Sequence, residues 1–224
     1  MSDDEQDEEK VLKLVLVGDG ASGKTSICQR FAKETFDKAY HQTLGLDFFS
    51  RRLMFPNDVQ VLVQVWDIGG QSIAGEMVDK YVNGANIVIL VYDVTNGKSF
   101  DNVQDWLSLC RRVLDGQPKP PTFVLLGNKT DLEEKRVVSV EAHNTFCSSN
   151  ELTPAYVSAK SGDTVLLVFR QAVADELKIS MTKADVEADI AIVQGTVAEV
   201  VKSDMIPPVR KTDQSRNTSV CTIS

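Results

Sequence analysis

Three short apolar runs, Val11–Val17, Ile87–Val91 and Thr122–Leu126, are nearly continuous and rich in Val, Ile and Leu. That composition and length predict strands buried on both faces of a parallel sheet. Asp47–Phe55 and Val59–Asp67 flank Pro56-Asn57-Asp58, which predicts an antiparallel hairpin with Pro and Asn/Asp supplying the turn. Pro154–Ser158 reads as a weaker sixth strand. Between these runs, helical patterns cover Gly23–Lys33, Gly75–Asn83, Ser99–Leu114, Ser139–Ser149 and Asp163–Leu177. Alternating β and α units predict a doubly wound α/β domain with right-handed crossovers. Ligands bind such sheets at the carboxyl ends of the strands. Gly18, Asp67 and Gly127-Asn128 each follow a strand at that end, so they should converge on one crevice.

The 224 residues fit one domain of about 170–180 residues plus tails. Three segments are expected: an acidic disordered N-terminus (1–10), the folded domain (11–178) and a variable tail (179–224). In the tail, Val186, Ile190, Val193, Val197 and Val200 recur at helical spacing, predicting a helix over 183–203. A net charge of −8 argues against nucleic-acid binding, which needs a basic face. Met1–Glu9 is an acidic run without the basic and apolar regions of a signal peptide. Nothing approaches 18 consecutive apolar residues, so no membrane span is expected. Cys28, Cys110, Cys147 and Cys221 show no CxxC pairing and read as reduced cytosolic thiols. With His41 and His143 the only histidines, histidine metal sites and Ser-His-Asp chemistry are disfavoured.

The chemistry begins where the first strand ends. Gly18, followed by Gly23-Lys24-Thr25, forms G-x-x-x-x-G-K-[ST], a phosphate-binding loop. Its glycines let backbone N–H groups approach anionic oxygens, and the following helix aims its positive dipole end at them. Lys24 can reach the β and γ oxygens, and the Thr25 hydroxyl suits Mg²⁺, which prefers hard oxygen donors. Asp67, in Asp67-Ile68-Gly69-Gly70-Gln71, can hold Mg²⁺ through a water. The Gly70 N–H can meet a γ-phosphate, and Gln71 can orient the attacking water. Thr43, in a loop before the hairpin, can complete the metal shell when a γ-phosphate is present. In Asn128-Lys129-Thr130-Asp131, the Asp131 carboxylate can accept from both guanine N1–H and N2–H, a donor pair adenine lacks. The Ala159 N–H in Ser158-Ala159-Lys160 can bind guanine O6. Phe36 is placed either to lie against the base or to pack in the core.

These elements, in this order and spacing over Lys10 to Lys178, resemble a Ras-superfamily small GTPase. Leu44-Gly45-Leu46-Asp47-Phe48-Phe49, Tyr81-Val82-Asn83-Gly84-Ala85 and Trp66 are similar to segments that mark the Rab branch. The phosphate loop and Trp66-Asp67-Ile68-Gly69-Gly70-Gln71 resemble its divergent Rab twenty-eight subgroup. The resemblance implies a P-loop NTPase G domain: a six-stranded, mostly parallel sheet with one antiparallel strand and about five flanking helices. It implies that Asp19, Gly20, Ala21, Ser22, Gly23, Lys24, Thr25 and Ser26 hold the phosphates. Phe36, Asn128, Lys129, Asp131, Ser158, Ala159 and Lys160 would hold the base, and Thr43, Gly70 and Gln71 would sense or attack the γ-phosphate. Thr25, Thr43 and Asp67 would serve the metal, and Lys24 and Gln71 catalysis.

The implied activity is slow GTP hydrolysis in a protein that cycles between GTP and GDP states, a monomer regulating endosomal or ciliary (basal-body) traffic. The implied partners are an exchange factor, an activating protein that donates an arginine, effectors and a prenyl-binding carrier. Two departures stand out. Ile68-Gly69 replaces the Thr-Ala of most Rabs, and a Gly69-Gly70 pair gives the second switch extra backbone freedom. The C-terminus is Cys221-Thr222-Ile223-Ser224, a C-a-a-X box rather than two cysteines. A single prenyl group on Cys221 would hold the protein reversibly to the cytoplasmic face of a membrane. Two other readings remain open at this point: a GTP-binding scaffold with negligible turnover, and a P-loop kinase or ATPase.

Overall fold

The structure, a computed structural model, describes residues 10–37, 39, 41–70 and 76–182. In chain order the elements are β1 (Lys10–Val17), α1 (Lys24–Lys33), β2 (Leu46–Phe55), β3 (Val59–Ile68), α2 (Glu76–Val82) and β4 (Ile87–Asp93). There follow α3 (Gly97–Asp101), α4 (Val103–Leu114), β5 (Thr122–Asn128), α5 (Val140–Ser149), β6 (Thr153–Tyr156) and α6 (Val165–Leu177). The six strands form one sheet in the order β2-β3-β1-β4-β5-β6. Only β2 runs antiparallel, pairing with β3 from Leu46↔Ile68 to Phe55↔Val59. The remaining pairs are parallel.

Strand alternation explains the layering. Leu14 and Leu16 face the side that packs against Ile27 and Phe31 of α1 and Phe169 of α6, where Phe31 stacks on Phe169 at 4.1 Å. Val15 and Val17 face the opposite side, against Val78 of α2 and Trp106, Leu107 and Cys110 of α4. Because both faces are covered, every residue of β4 is buried. That double burial is why the central strands read as unbroken apolar runs. Cys28, Cys110 and Cys147 are free and buried in these layers, while Cys221 lies outside the described residues.

Several boundaries differ from the sequence expectation, each for a local reason. The helix expected over Ser99–Leu114 is two helices. The first starts earlier because the Asn96 side chain accepts from the Lys98 and Ser99 N–H groups, a cap worth about 1 kcal/mol. The chain then turns at Asn102 (φ −72°, ψ −11°), whose carbonyl takes the N–H groups of both Asp105 and Trp106. The last helix begins at Val165 rather than Asp163, because Thr164 sits at φ 60°, outside the helical region. The last strand stops at Tyr156. Val157 N–H still bonds Gly127 O at 2.9 Å, but Ser158 leaves the sheet to join the crevice loops. A 3-10 turn over Thr130–Lys135 has no counterpart in the apolar pattern. The acidic N-terminus and the tail helix expected over 183–203 lie outside the described residues.

Candidate functional site

At the carboxyl rim of the sheet, loops after β1, β3, β5 and β6 surround a cavity of about 380 Å³. Gly20, Ala21, Gly23, Lys24, Thr25 and Ser26 form one wall, Asn128, Lys129, Asp131, Ala159 and Lys160 the other. Phe36, Thr43 and Gly70 are also among the lining residues. Phe36 also packs against the core below α1, so both of its expected roles are compatible with its position.

The phosphate wall is built from backbone. Ala21 at φ 60° and Gly23 at φ 94° curl successive N–H groups toward one point, an anion-binding nest. Gly23 admits no side chain. A Cβ there would lie 2.2 Å from Asn128 Nδ2. Lys24 is buried and donates from Nζ to Gly18 O at 2.7 Å and Asp19 O at 2.9 Å. Burial pulls its pKa down, opposed by the charges of Asp67, Cys28 and Asp19. A partly desolvated ammonium held by two carbonyls is ready to exchange them for phosphate oxygens. The side chains of Ser22 and Asp19 are engaged within the protein, leaving their backbone N–H groups as the part of each that could meet phosphate. The Ser22 hydroxyl turns inward to Asp19 O at 2.9 Å. The Asp19 carboxylate points away from the crevice, accepting from Asn102 Nδ2 at 2.6 Å and Trp106 Nε1 at 3.0 Å.

The candidate metal position is at Thr25, Thr43 and Asp67. Asp67, fully buried at the end of β3, accepts from Thr25 Oγ1 at 2.5 Å and Thr43 Oγ1 at 3.4 Å through Oδ2. The two hydroxyls are 2.8 Å apart. Asp67 Oδ1 is buried without a hydrogen-bond partner. Burial pushes the carboxyl up to about 6, with the Thr25 hydrogen bond and the Lys24 charge opposing. A buried, half-satisfied carboxylate beside two hydroxyls fits a hard divalent cation. Among the described residues no group of three or more His, Cys, Asp or Glu could hold a metal. A cation here would therefore draw on the hydroxyls and on the nucleotide's phosphates.

The base wall is held by side chains. Asn128 donates from Nδ2 to Ser22 O at 2.8 Å and accepts the Ala159 N–H on Oδ1 at 3.2 Å. One amide therefore ties the phosphate loop to both base loops. Ser158 Oγ donates to Asp131 Oδ1 at 2.8 Å, and Lys160 Nζ lies 3.3 Å from Asp131 Oδ2. Ser158 thus orients the Asp131 carboxylate, the candidate base reader. Lys129 Nζ pairs with Asp93 Oδ2 at 2.6 Å. From α1, Arg30 donates to Ala159 O and Lys160 O. Under this wall His143, fully buried, bonds the Tyr92 hydroxyl through Nδ1 at 2.9 Å and stacks on Tyr156 at 4.4 Å. The Tyr156 ring and the Tyr92 hydroxyl press against Gly127, one residue before Asn128. The supports Asn102, Trp106, Arg30, Asp93 and His143 carry no local motif. Only the four-residue spacing of Asn102 and Trp106 hints that they share a helix face.

The segment that follows β3 meets the loop before β2 at Gly69. Its N–H donates to Gly45 O at 2.9 Å, and a Cβ would fall 2.5 Å from Thr43 O. At Gly70 a Cβ would fall 2.2 Å from Gly20 N. Neither residue has a positive φ, and in this arrangement the pair supplies close approach. Gln71 lies outside the described residues.

Comparison with known proteins agrees with this geometry. The Ras family profile matches residues 13–178. The chain is 65% identical over 221 residues to Ras-related protein Rab-28 of Caenorhabditis elegans, covering 99% of this chain and 89% of the relative. It is 37% identical over 164 residues to Ypt/Rab-type GTPase Rab7 of Neurospora crassa, covering 71% of this chain and 78% of that one. The Ypt/Rab-type GTPase ypt7 of Pyricularia oryzae is 37% identical over 175 residues, 74% of this chain and 84% of the relative.

Proposed function

The chain belongs to the Ras family, in its Rab branch, and is a small GTPase; on that premise we propose that it is a two-state switch in endosomal or ciliary membrane traffic. Binding and hydrolysis of GTP in the regulation of traffic are the family's properties. The finer reading rests on one observation: Thr43 and Gly69 meet over the metal position, where a γ-phosphate would join them.

Phosphoryl transfer of this kind needs positioning and charge stabilisation, with little covalent chemistry for the protein. Lys24 and the nest N–H groups bind the phosphates, while Asp131 and the Ala159 N–H orient guanine. Thr25 and Asp67 would hold Mg²⁺, which supplies neutralisation of phosphate charge. Gln71 orients the attacking water and, as a neutral amide, leaves the transition-state charge to be met elsewhere. None of the described residues lining the cavity is an arginine. That supports slow intrinsic turnover and an arginine donated by an activating protein, worth about 10³–10⁵ in rate.

Loss of the γ-phosphate would remove what holds Thr43 and Gly70 inward and release both segments. Leu44 and Phe48, 83% and 53% exposed, follow Thr43 in the chain and would change presentation to effectors and to an exchange factor. No helix among the described residues is long and apolar enough to cross a membrane. Attachment to the cytoplasmic face would come from a single prenyl group on Cys221, reversible through a prenyl-binding carrier.

Single-turnover hydrolysis of Mg²⁺-GTP tests the switch. Wild type should cleave slowly, and Gln71→Leu should lose most of that cleavage while retaining GTP. Equal rates for both would remove the assignment of Gln71. In eukaryotic cells, Cys221→Ser should release the protein from membranes with nucleotide binding intact; unchanged association would overturn the anchor.

A further inference from the structure

The phosphate loop contains a feature at odds with its task. Asp19 carries a negative charge between Gly18, whose carbonyl binds Lys24, and Gly20, which lines the cavity. A free carboxylate there would repel the incoming phosphates and compete with them for the Lys24 ammonium. The structure keeps it from doing either. Asn102 Nδ2 donates to one oxygen at 2.6 Å and Trp106 Nε1 to the other at 3.0 Å. The two donors are four residues apart, on one face of the turn where α3 gives way to α4. Trp106 is 1% exposed, so its indole is a fixed donor.

We propose that Asn102 and Trp106 are positioning residues of the phosphate loop, holding the Asp19 carboxylate away from the nucleotide's phosphates and from Lys24. This rests on the GTP-binding reading above and extends it to a second layer. The Asp19 backbone stays committed to the loop. Its carbonyl accepts from Lys24 Nζ, from the Ser22 hydroxyl and from the Ser22 N–H at 3.4 Å. The side chain is anchored on the opposite side, so the peptide is held from both ends. Removing the anchors costs the loop twice, in geometry and in charge. The break between α3 and α4 has a role in this arrangement, because it brings the Asn102 amide to the loop.

The test is release of a fluorescent GDP analogue in the presence of Mg²⁺, measured as a double-mutant cycle. Asn102→Ala should speed release several-fold, and Asn102→Ala with Trp106→Phe about tenfold, the scale of one unit charge near a polyphosphate. In an Asp19→Ala background the same substitutions should change release less than twofold. The acceleration in the Asp19 background should also shrink as salt rises from about 0.05 M to about 0.5 M, because screening weakens repulsion and leaves packing untouched. Asn102 is only half-buried, so Asn102→Ala answers the question even if the Trp106 variant fails to fold. No acceleration, or equal acceleration in both backgrounds, overturns the proposal. Failure of wild type to retain GDP would remove the nucleotide-binding reading as well, and so separates the two.

Discussion

The two walls of the crevice are held differently. Around the proposed base position, Asn128, Asp131, Ser158 and Ala159 are tied to one another and to the phosphate loop by hydrogen bonds within the protein, braced from behind by Arg30 and by the Asp93–Lys129 pair. Around the proposed γ-phosphate position, the contacts among the described residues include two threonine hydroxyls, a carboxylate with one oxygen lacking a partner, the Lys24 ammonium on two carbonyls and a backbone bond between Gly69 and Gly45. The first wall is prepared in advance, so most of its ordering cost is met on folding. On the function proposed above, the second would be completed by the nucleotide's γ-phosphate, whose presence could then change its arrangement. On that proposal, recognition and signalling would lie on opposite sides of one nucleotide.

The sharpest way to break this division is at Asp131. Asp131→Asn removes the acceptor for two guanine donors and should lower GTP affinity by about 10²–10⁴. Preference should move toward xanthine nucleotides, whose 2-oxo group can accept from an amide. Competition binding with GTP and XTP measures both, and undiminished GTP selectivity would place base reading elsewhere.

A second prediction concerns the support below the base wall. Burial, with the nearby Arg136 charge, lowers the His143 pKa from 6.5 to about 4. Between those values the unfolded chain binds a proton that the native protein refuses. The His143 contribution to stability should therefore be level above pH 7 and be lost on acidification from about pH 6.5 to pH 4, by about 2–3 kcal/mol, while Asp67, its carboxyl pushed up to about 6, contributes in the opposite sense over the same window. The difference in stability between wild type and His143→Phe in urea titrations should carry that loss. An unchanged slope would show that other groups set it.

On the switch side the effects are smaller. Gly69→Ala inserts a methyl 2.5 Å from Thr43 O, and relieving it should cost the closed arrangement about 1–2 kcal/mol. GTP affinity should drop about tenfold relative to GDP. Thr43→Ala removes one hydroxyl from the metal position and should weaken GTP relative to GDP by about 1 kcal/mol. Should either substitution weaken GDP and GTP equally, the contrast between the walls would be lost.

What the chain discloses of itself follows the same division. Buried strands and the loops that touch ligand are legible, because both demand particular residue types at fixed spacing: apolar runs for β1, β4 and β5, Gly23-Lys24-Thr25 and Asn128 to Asp131 for the crevice. Asn102, Trp106, Arg30 and His143 are not legible. Each acts through a tertiary contact made by a common residue type, and Asn102 lies 83 positions from its partner. Helix edges were displaced where a cap (Asn96) or a positive φ (Thr164) outweighed the apolar pattern. The Gly69-Gly70 pair was legible as unusual, but its use depends on what crosses above it.

The Asn128 amide has a consequence for engineering. Because its two ends serve different loops, replacing it to alter base preference would also loosen the grip on the phosphates. An orthogonal enzyme–nucleotide pair, in which a redesigned copy accepts a synthetic base and ignores cellular GTP, should therefore be sought at Asp131 and Ala159 with Asn128 left alone.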